Sequence, residues 1–346
     1  MRGMLMLLGA IAASPSYAQT PKSGSALAYD RGSQPVVSIP PAEQGLQTVV
    51  AEPWLSISKE TPALAGMDNK LLLEGGVFDR GGNLLIVEVI GGRVMRIAPD
   101  RTLSVLLPKN ASGSAGVAIH KDGRIFVAAV GDMKRGGSVY AIRPDGSGKD
   151  VIIPPESGYV PDDLVFDDDG GFYFTDFRGD NAEPIGQVVY MSPDRKSLTP
   201  VMSRLSMPNG IMLSPDGKTL WVGETGRGLL HRIELAAPAK IGLFGTTIAY
   251  HFTGSRADSI RVDKDGNVYV ALVREGRVLV FDPRGVPIAQ ILIPGREKGD
   301  MLVTTSMAIK PGTKDLYILT SDSEGRSAGI FRTQAFAEAP TLFSHR

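Results

Sequence analysis

One pattern recurs six times along this chain: an apolar stretch, a polar turn carrying a glycine, then an alternating strand. The turn glycines are Gly82, Gly123, Gly170, Gly217, Gly266 and Gly312, and their separations are 41, 47, 47, 49 and 46 residues. Self-similarity at a period in the forties restricts a chain to repeat architectures. Asp-Gly between β-branched and aromatic residues, as in Ile260-Arg-Val-Asp-Lys-Asp-Gly-Asn-Val-Tyr-Val, marks a hairpin. Helical repeats of this length would show a 3.6-residue apolar period, and these segments do not. A second strand pair follows most hairpins, in Gly92-Arg-Val-Met-Arg-Ile-Ala-Pro-Asp, Gly137-Ser-Val-Tyr-Ala-Ile-Arg-Pro-Asp, Gly186-Gln-Val-Val-Tyr-Met-Ser-Pro-Asp and Gly276-Arg-Val-Leu-Val-Phe-Asp-Pro-Arg. Proline at the turn presets φ where a lost N–H is harmless. The copy from Gly228 lacks the proline, and the copy from Gly329 is degenerate. Two hairpins per repeat predict four antiparallel strands per blade. Six repeats predict an all-β, six-bladed β-propeller over residues 49–346. The strand-like segment from Leu46 to Ile57 is expected to complete one blade, leaving only short edges.

Composition removes other classes. With 21% charged residues, 42% hydrophobic residues and a formal net charge of +0, the chain has neither the basic field of a nucleic-acid binder nor the profile of a disordered chain. There is no cysteine, hence no disulfide framework. Arg2, the apolar run from Met4 to Ala13 and Ser16-Tyr17-Ala18 read as a signal peptide over 1–18, with Gln19 as the mature start. That run is too short to span a bilayer, and no other segment approaches spanning length. Residues 19–48 read as a flexible linker. An exported protein, periplasmic or secreted, is expected.

The repeat register yields a candidate site. Eight residues before each of the first five turn glycines stand Glu74, Ala115, Asp162, Asn209 and Asp258; in the sixth copy the glycine falls one place early and Thr305 takes the position. Equivalent positions in a propeller share radius and height, so four of six blades aim an oxygen at one axial point. Converging carboxylates repel unless a cation lies between them. An all-oxygen set selects a hard ion, with Ca²⁺ favoured over Mg²⁺ and zinc disfavoured. Other divalent metals share such ligands. Any one Asp or Asn is an ordinary loop residue; four in one register carry the reading. Ser259 is a candidate further ligand, whereas Asp163 should point elsewhere as a supporting partner. Asp167, Asp168 and Asp169 read as a solvated turn. His120, His231, His251 and His345 show no metal spacing, and no nucleophile elbow is present.

These segments carry a resemblance. Glu74-Gly-Gly-Val-Phe-Asp, Asn209-Gly-Ile-Met-Leu-Ser-Pro-Asp-Gly-Lys-Thr-Leu-Trp-Val and Asp258-Ser-Ile-Arg-Val-Asp-Lys-Asp-Gly-Asn-Val-Tyr-Val resemble blade motifs of the senescence-marker-protein/gluconolactonase family, with Ser259 where glycine is usual. Asp162-Asp-Leu-Val-Phe, Gly171-Phe-Tyr-Phe-Thr-Asp-Phe-Arg-Gly and Gln290-Ile-Leu-Ile-Pro-Gly-Arg are similar to its drug-responsive, calcium-dependent lactonases. The resemblance covers roughly residues 50–335. It implies a calcium-dependent lactonase with Glu74, Asp162, Asn209, Asp258 and Ser259 around the ion and Asp258 as catalytic acid/base. A second calcium is implied near Ile153-Pro-Pro-Glu-Ser-Gly-Tyr, but a proline stands where an acidic ligand belongs, so one axial ion is expected. The expected partner is a small lactone or related ester. A phosphotriesterase-like hydrolase on the same site, a non-catalytic ligand-binding or sensor propeller, and a strictosidine-synthase-like lyase stay open. Specificity is expected in loops 109–115, 178–185, 223–228 and 294–304, with Arg178, Asp180, Glu183, Arg227 and Arg296.

Overall fold

The computed structural model describes residues 38–58, 61–64, 70–133, 136–254 and 256–346. The segment read as a leader and most of the segment read as a linker lie outside these residues. Strands β1 (Gln47–Val50) and β2 (Glu52–Ser58) come first, and four antiparallel four-stranded sheets follow in chain order. The first holds β3 (Leu73–Phe78), β4 (Leu84–Glu88), β5 (Arg93–Ile97) and β6 (Leu103–Leu107). The second holds β7 (Ser114–Ile119), β8 (Ile125–Ala129), β9 (Ser138–Ile142) and β10 (Asp150–Ile153). The third holds β11 (Pro161–Phe166), β12 (Phe172–Asp176), β13 (Gly186–Met191) and β14 (Leu198–Leu205). The fourth holds β15 (Pro208–Leu213), β16 (Thr219–Glu224), β17 (Leu229–Ala237) and β18 (Lys240–His251).

The remaining strands are β19 (Arg256–Val262), β20 (Val268–Val273), β21 (Arg277–Phe281), β22 (Pro287–Leu292), β23 (Val303–Ile309), β24 (Asp315–Ser321) and β25 (Ser327–Gln334). They join β1 and β2 in one nine-stranded sheet. Inside it, β19 to β22 form one antiparallel meander, and β23, β24, β25 and β2 form another. The two meet at the Val273–Val303 pair. The N-terminal strand β2 thus completes the C-terminal meander, as expected for Leu46 to Ile57. In addition β1 lies parallel to β22, which the repeat pattern does not foretell. The first strands of the units touch in turn: β3 meets β7, β7 meets β11, β11 meets β15, β15 meets β19, β19 meets β23, and β23 returns to β3. This closed circuit of first strands is the frame of the site.

Local chemistry explains the elements. All six marker glycines have positive φ, between 67° and 89°, which suits a hairpin turn and few residues other than glycine. Each first strand is buried for nearly its whole length, because the sheets pack against one another on both faces. Trp221 is fully buried in a cluster that runs from Tyr173 through Ile233 to Phe281. The outer strands β14 and β18 are half exposed, so their apolar pattern is weaker. Among the described residues no helix is long and apolar enough to cross a membrane.

The first and last described segments are both tied to the sheets. Pro41–Glu43, within the segment read as linker, forms a 3₁₀ turn whose buried Glu43 accepts hydrogen bonds from Arg277 Nη1 and the Tyr250 hydroxyl, each at 2.5 Å. The tail after β25 runs along the hairpin-turn end. Ala335 N–H donates to the Lys314 carbonyl at 2.7 Å, Lys264 N–H donates to the Glu338 carbonyl at 2.9 Å, and Arg346 pairs with Asp168 at 2.5 Å. Phe343 is buried against Phe166, with ring centroids 5.4 Å apart, and against His120 at 5.0 Å.

Candidate functional site

Glu74, Asp162 and Asn209 are second residues of β3, β11 and β15, and Asp258 is the third residue of β19. At this level every first strand slips in its ladder: between Glu74 and Gly76, Ser114 and Gly116, Pro161 and Leu164, Pro208 and Ile211, Ala257 and Ile260, and Thr304 and Ser306. Irregular pairing of this kind re-aims side chains beside functional sites. Here it occurs six times at one height. The repeat register of the sequence is therefore a spatial register. Three residues further along each of these strands, Val77, Ala118, Val165, Met212 and Arg261 share one cavity of about 60 Å³ with Leu342 and Phe343.

Hydroxyl groups of neighbouring strands hold the site residues in place. The Thr175 hydroxyl donates to the Asn209 carbonyl at 2.6 Å, and the Thr225 hydroxyl donates to the carbonyl of Ala257, just before Asp258, at 2.5 Å. Leu73, just before Glu74, accepts at its carbonyl from Thr305 Oγ1 at 2.6 Å and donates its N–H to Ser321 Oγ at 3.3 Å. Thr305 therefore spends its hydroxyl on a strand neighbour, and Ala115 offers no oxygen. Gly210 lets β15 approach β19: a Cβ there would stand 2.6 Å from Ile260 N and 2.7 Å from the Ser259 carbonyl carbon.

The four oxygen-bearing side chains are buried, with relative exposures of 5% to 8%, and Ser259 beside them is buried too. Burial pushes the Glu74 carboxyl well above its usual range, and the charges of Asp258, Asp162 and Asp163 add to it. Asp162 is raised in the same way by burial, then by Asp258 and Asp163. Burial pushes Asp258 up to about 7 against contacts with Glu74, the Ser259 N–H and Asn209, which hold it down. Asn209 Oδ1 and Asp258 Oδ1 are buried and accept no hydrogen bond from the described residues. Mutual influence among Glu74, Asp162 and Asp258 means that the fold brings them together, with Asn209 against Asp258.

Among the described residues, no three Asp, Glu, His or Cys side chains close into a finished cage around a metal ion. Carboxyl groups that face one another without a counter-charge keep apart or take up protons. Two features test whether a divalent cation suits these residues. The buried oxygens of Asn209 and Asp258 want a positive partner, and the raised carboxyls would be relieved by one. The donors are all oxygen, the set hard cations take. The residues fit such an ion.

Asp163, next to Asp162, spends both carboxylate oxygens on protein partners. Its Oδ2 lies 3.3 Å from Arg261 Nη1, and its Oδ1 accepts from the Leu164 N–H at 2.9 Å. Arg261 carries no side-chain oxygen and so falls outside the oxygen register. The signal was present: it is the one charged residue at a repeat position that is otherwise apolar. In the Asp167–Asp169 turn, Asp168 and Asp169 are exposed, but Asp167 is buried and accepts from the Tyr190 hydroxyl at 2.6 Å. His251 lies exposed on the outer strand β18, three strands across the sheet from Asn209, and His231 is paired with Glu224 at 2.7 Å. Charges expected to select substrate are committed to the protein: Arg178 pairs with buried Asp176 at 2.7 Å, Arg227 with Glu224 at 3.1 Å, and Asp180 accepts from the N–H groups of Ala182 and Glu183.

Residues 72–322 match the family model of the SMP-30/gluconolactonase/LRE-like region. The chain belongs to this family. Among its relatives are proteins named lactonase drp35. The protein from Staphylococcus saprophyticus is 46% identical over 317 residues, covering 90% of this chain and 95% of its own. The protein from Staphylococcus aureus is 44% identical over 315 residues, covering 89% and 93%. Solved structures agree in fold. A calcium-binding regucalcin from Agrobacterium tumefaciens superposes with a TM-score of 0.64 at 19% identity, covering 86% of this chain and 99% of its own. A gluconolactonase from Xanthomonas campestris gives 0.62 at 21% identity, covering 77% and 88%. For the SMP-30/gluconolactonase family member described here, lactone hydrolysis is thus the activity its relatives support.

Proposed function

We propose that this protein is an exported, calcium-dependent lactonase built on a six-bladed propeller. The blade count follows from taking the nine-stranded sheet as two four-stranded blades plus β1, so that six first strands make the closed circuit. One observation carries the site: four oxygen side chains in one repeat register are buried at one level, and two of their oxygens lack a hydrogen-bond partner among the described residues. In this reading Glu74, Asp162, Asn209 and Asp258 hold the ion, with Ser259 adjacent. When bound, the ion supplies Lewis-acid polarisation of an ester carbonyl and tolerance of negative charge on its oxygen.

The chain's own residues do the rest. Asp258 takes a proton from a water molecule as that water adds to the lactone carbonyl carbon. It returns the proton to the ring oxygen as the carbon–oxygen bond breaks, so that water and lactone become one hydroxy acid. Asn209 beside it is uncharged and orients the carboxyl without competing for the proton. Burial keeps bulk water from the acid. The leader over 1–18 supports export.

The test is a panel of aldonolactones, aromatic lactones and organophosphates, assayed after chelation and after calcium is restored. Calcium-dependent opening of a lactone, lost in Asp258→Asn by at least about 100-fold, is expected. Full turnover by metal-free protein, or turnover of organophosphates alone, would overturn the reading.

A further inference from the structure

At the repeat position occupied by Arg261 the other five copies carry Val77, Ala118, Val165, Met212 and Ala308. A lone guanidinium among apolar neighbours needs partners, and this one finds them on the strands of the oxygen cluster. Its Nη1 lies 3.3 Å from Asp163 Oδ2, on β11 next to Asp162. The same nitrogen donates to the Ile260 carbonyl at 2.6 Å, on the strand of Asp258. Its Nη2 donates to the Gly76 carbonyl at 3.2 Å, on β3 two residues past Glu74. One planar group therefore spans β3, β11 and β19, the three strands that bear the carboxylates. The Arg261 side chain is 12% exposed and that of Asp163 3%, so water screens this pair little. The small cavity shared with Val77, Val165 and Met212 leaves no packed side chain to do the same work.

We propose that Arg261 is a positioning residue that fixes the spacing of β3, β11 and β19 beneath the site, and so sets how well Glu74, Asp162 and Asp258 close on a cation. The inference rests on the calcium reading above. The three carboxylates repel one another and tend to splay their strands; the guanidinium opposes this from one to three residues further along those strands. Arginine suits the task because its rigid fork offers several donors in fixed directions, whereas a lysine ammonium is a single point on a flexible stem. Charge alone predicts the opposite consequence: removing a cation close to a cation site should tighten metal binding.

The test uses the full chain as wild type, Arg261→Met and Arg261→Lys, stripped with chelator and titrated with calcium chloride by calorimetry. The wild type is read first, and a wild type that binds no calcium overturns the metal reading on which this inference stands. Given binding by wild type, Arg261→Met is expected to weaken calcium roughly 10- to 100-fold, the range for loss of a group that orients metal ligands, and Arg261→Lys to restore part of it. Unchanged or tighter calcium binding by Arg261→Met, with its far-ultraviolet spectrum intact, overturns the positioning role. If the methionine variant does not fold, the lysine variant decides: weaker binding than wild type supports the role, and wild-type affinity overturns it.

Discussion

The Thr305 hydroxyl donates to the Leu73 carbonyl at 2.6 Å and so joins β23, near the end of the chain, to the residue just before Glu74. Both groups are buried, so losing the donor leaves a carbonyl unpaired away from water. Thr305→Val keeps the shape and removes the bond. It should cost about 1–2 kcal/mol of unfolding free energy, read by urea titration. Because Leu73 fixes Glu74, calcium affinity should fall as well, in contrast to an equally destabilising change on an outer strand.

Gly210 follows Asn209, and its missing Cβ is the reason β15 can lie so close to the Asp258–Ile260 segment. The backbone there is what an added methyl would strike, and backbone moves less readily than a side-chain tip. Gly210→Ala should therefore destabilise by about 1–3 kcal/mol, the usual range for overpacking. It should also separate Asn209 from Asp258, lowering lactone turnover more than a Gly→Ala change at an exposed turn such as Gly217 lowers it.

The parts of the site legible in the sequence are those the repeat dictates. Eight residues before a turn glycine meant one height, and Glu74, Asp162, Asn209 and Asp258 are indeed buried together. Features without a repeat were not legible. The slipped ladders depend on how neighbouring first strands meet, and no local motif announces them. Arg261 finds Asp163 and Gly76 across 98 and 185 residues of sequence. Such long-range partners follow from closure of the circuit, not from spacing. Glu43 and Phe343 likewise lie outside any repeat unit, and only their burial in the folded chain gives them a role.

The carboxyl cluster predicts a pH dependence for metal-free protein. Burial raises Glu74, Asp162 and Asp258, the last from 3.8 to about 7. A group raised on folding favours the native state fully below its unfolded value, and that advantage is lost as pH climbs through the folded value. The melting temperature in chelator should thus fall between about pH 4 and pH 7. Carboxyls held low, such as Asp122 and Asp315, lose their stabilising effect only as pH falls below their ordinary value of 3.8, so they do not oppose this trend. Excess calcium should flatten the decline and raise the melting temperature most at the alkaline end, because only the folded chain assembles the site. Differential scanning calorimetry across pH, with chelator or calcium, checks both statements.

Phe343 tests whether the tail at the turn end is separable from the site. It is 6% exposed, stacks on Phe166 and meets the edge of His120, and the Lys121 ammonium stands 5.4 Å from its ring centre. Truncating a buried phenylalanine removes both its transfer free energy and the contacts around the resulting void, so Phe343→Ala should cost about 3–5 kcal/mol. The ring lies beneath the hairpin turns, at the opposite end of the first strands from Glu74 and Asp258. Calcium affinity at a temperature where the variant stays folded should therefore match wild type. A large loss of stability with unchanged calcium binding would assign the tail to holding the sheets together. Weakened calcium binding in folded Phe343→Ala would instead mean that strain at the turn end reaches the oxygen cluster through the first strands themselves.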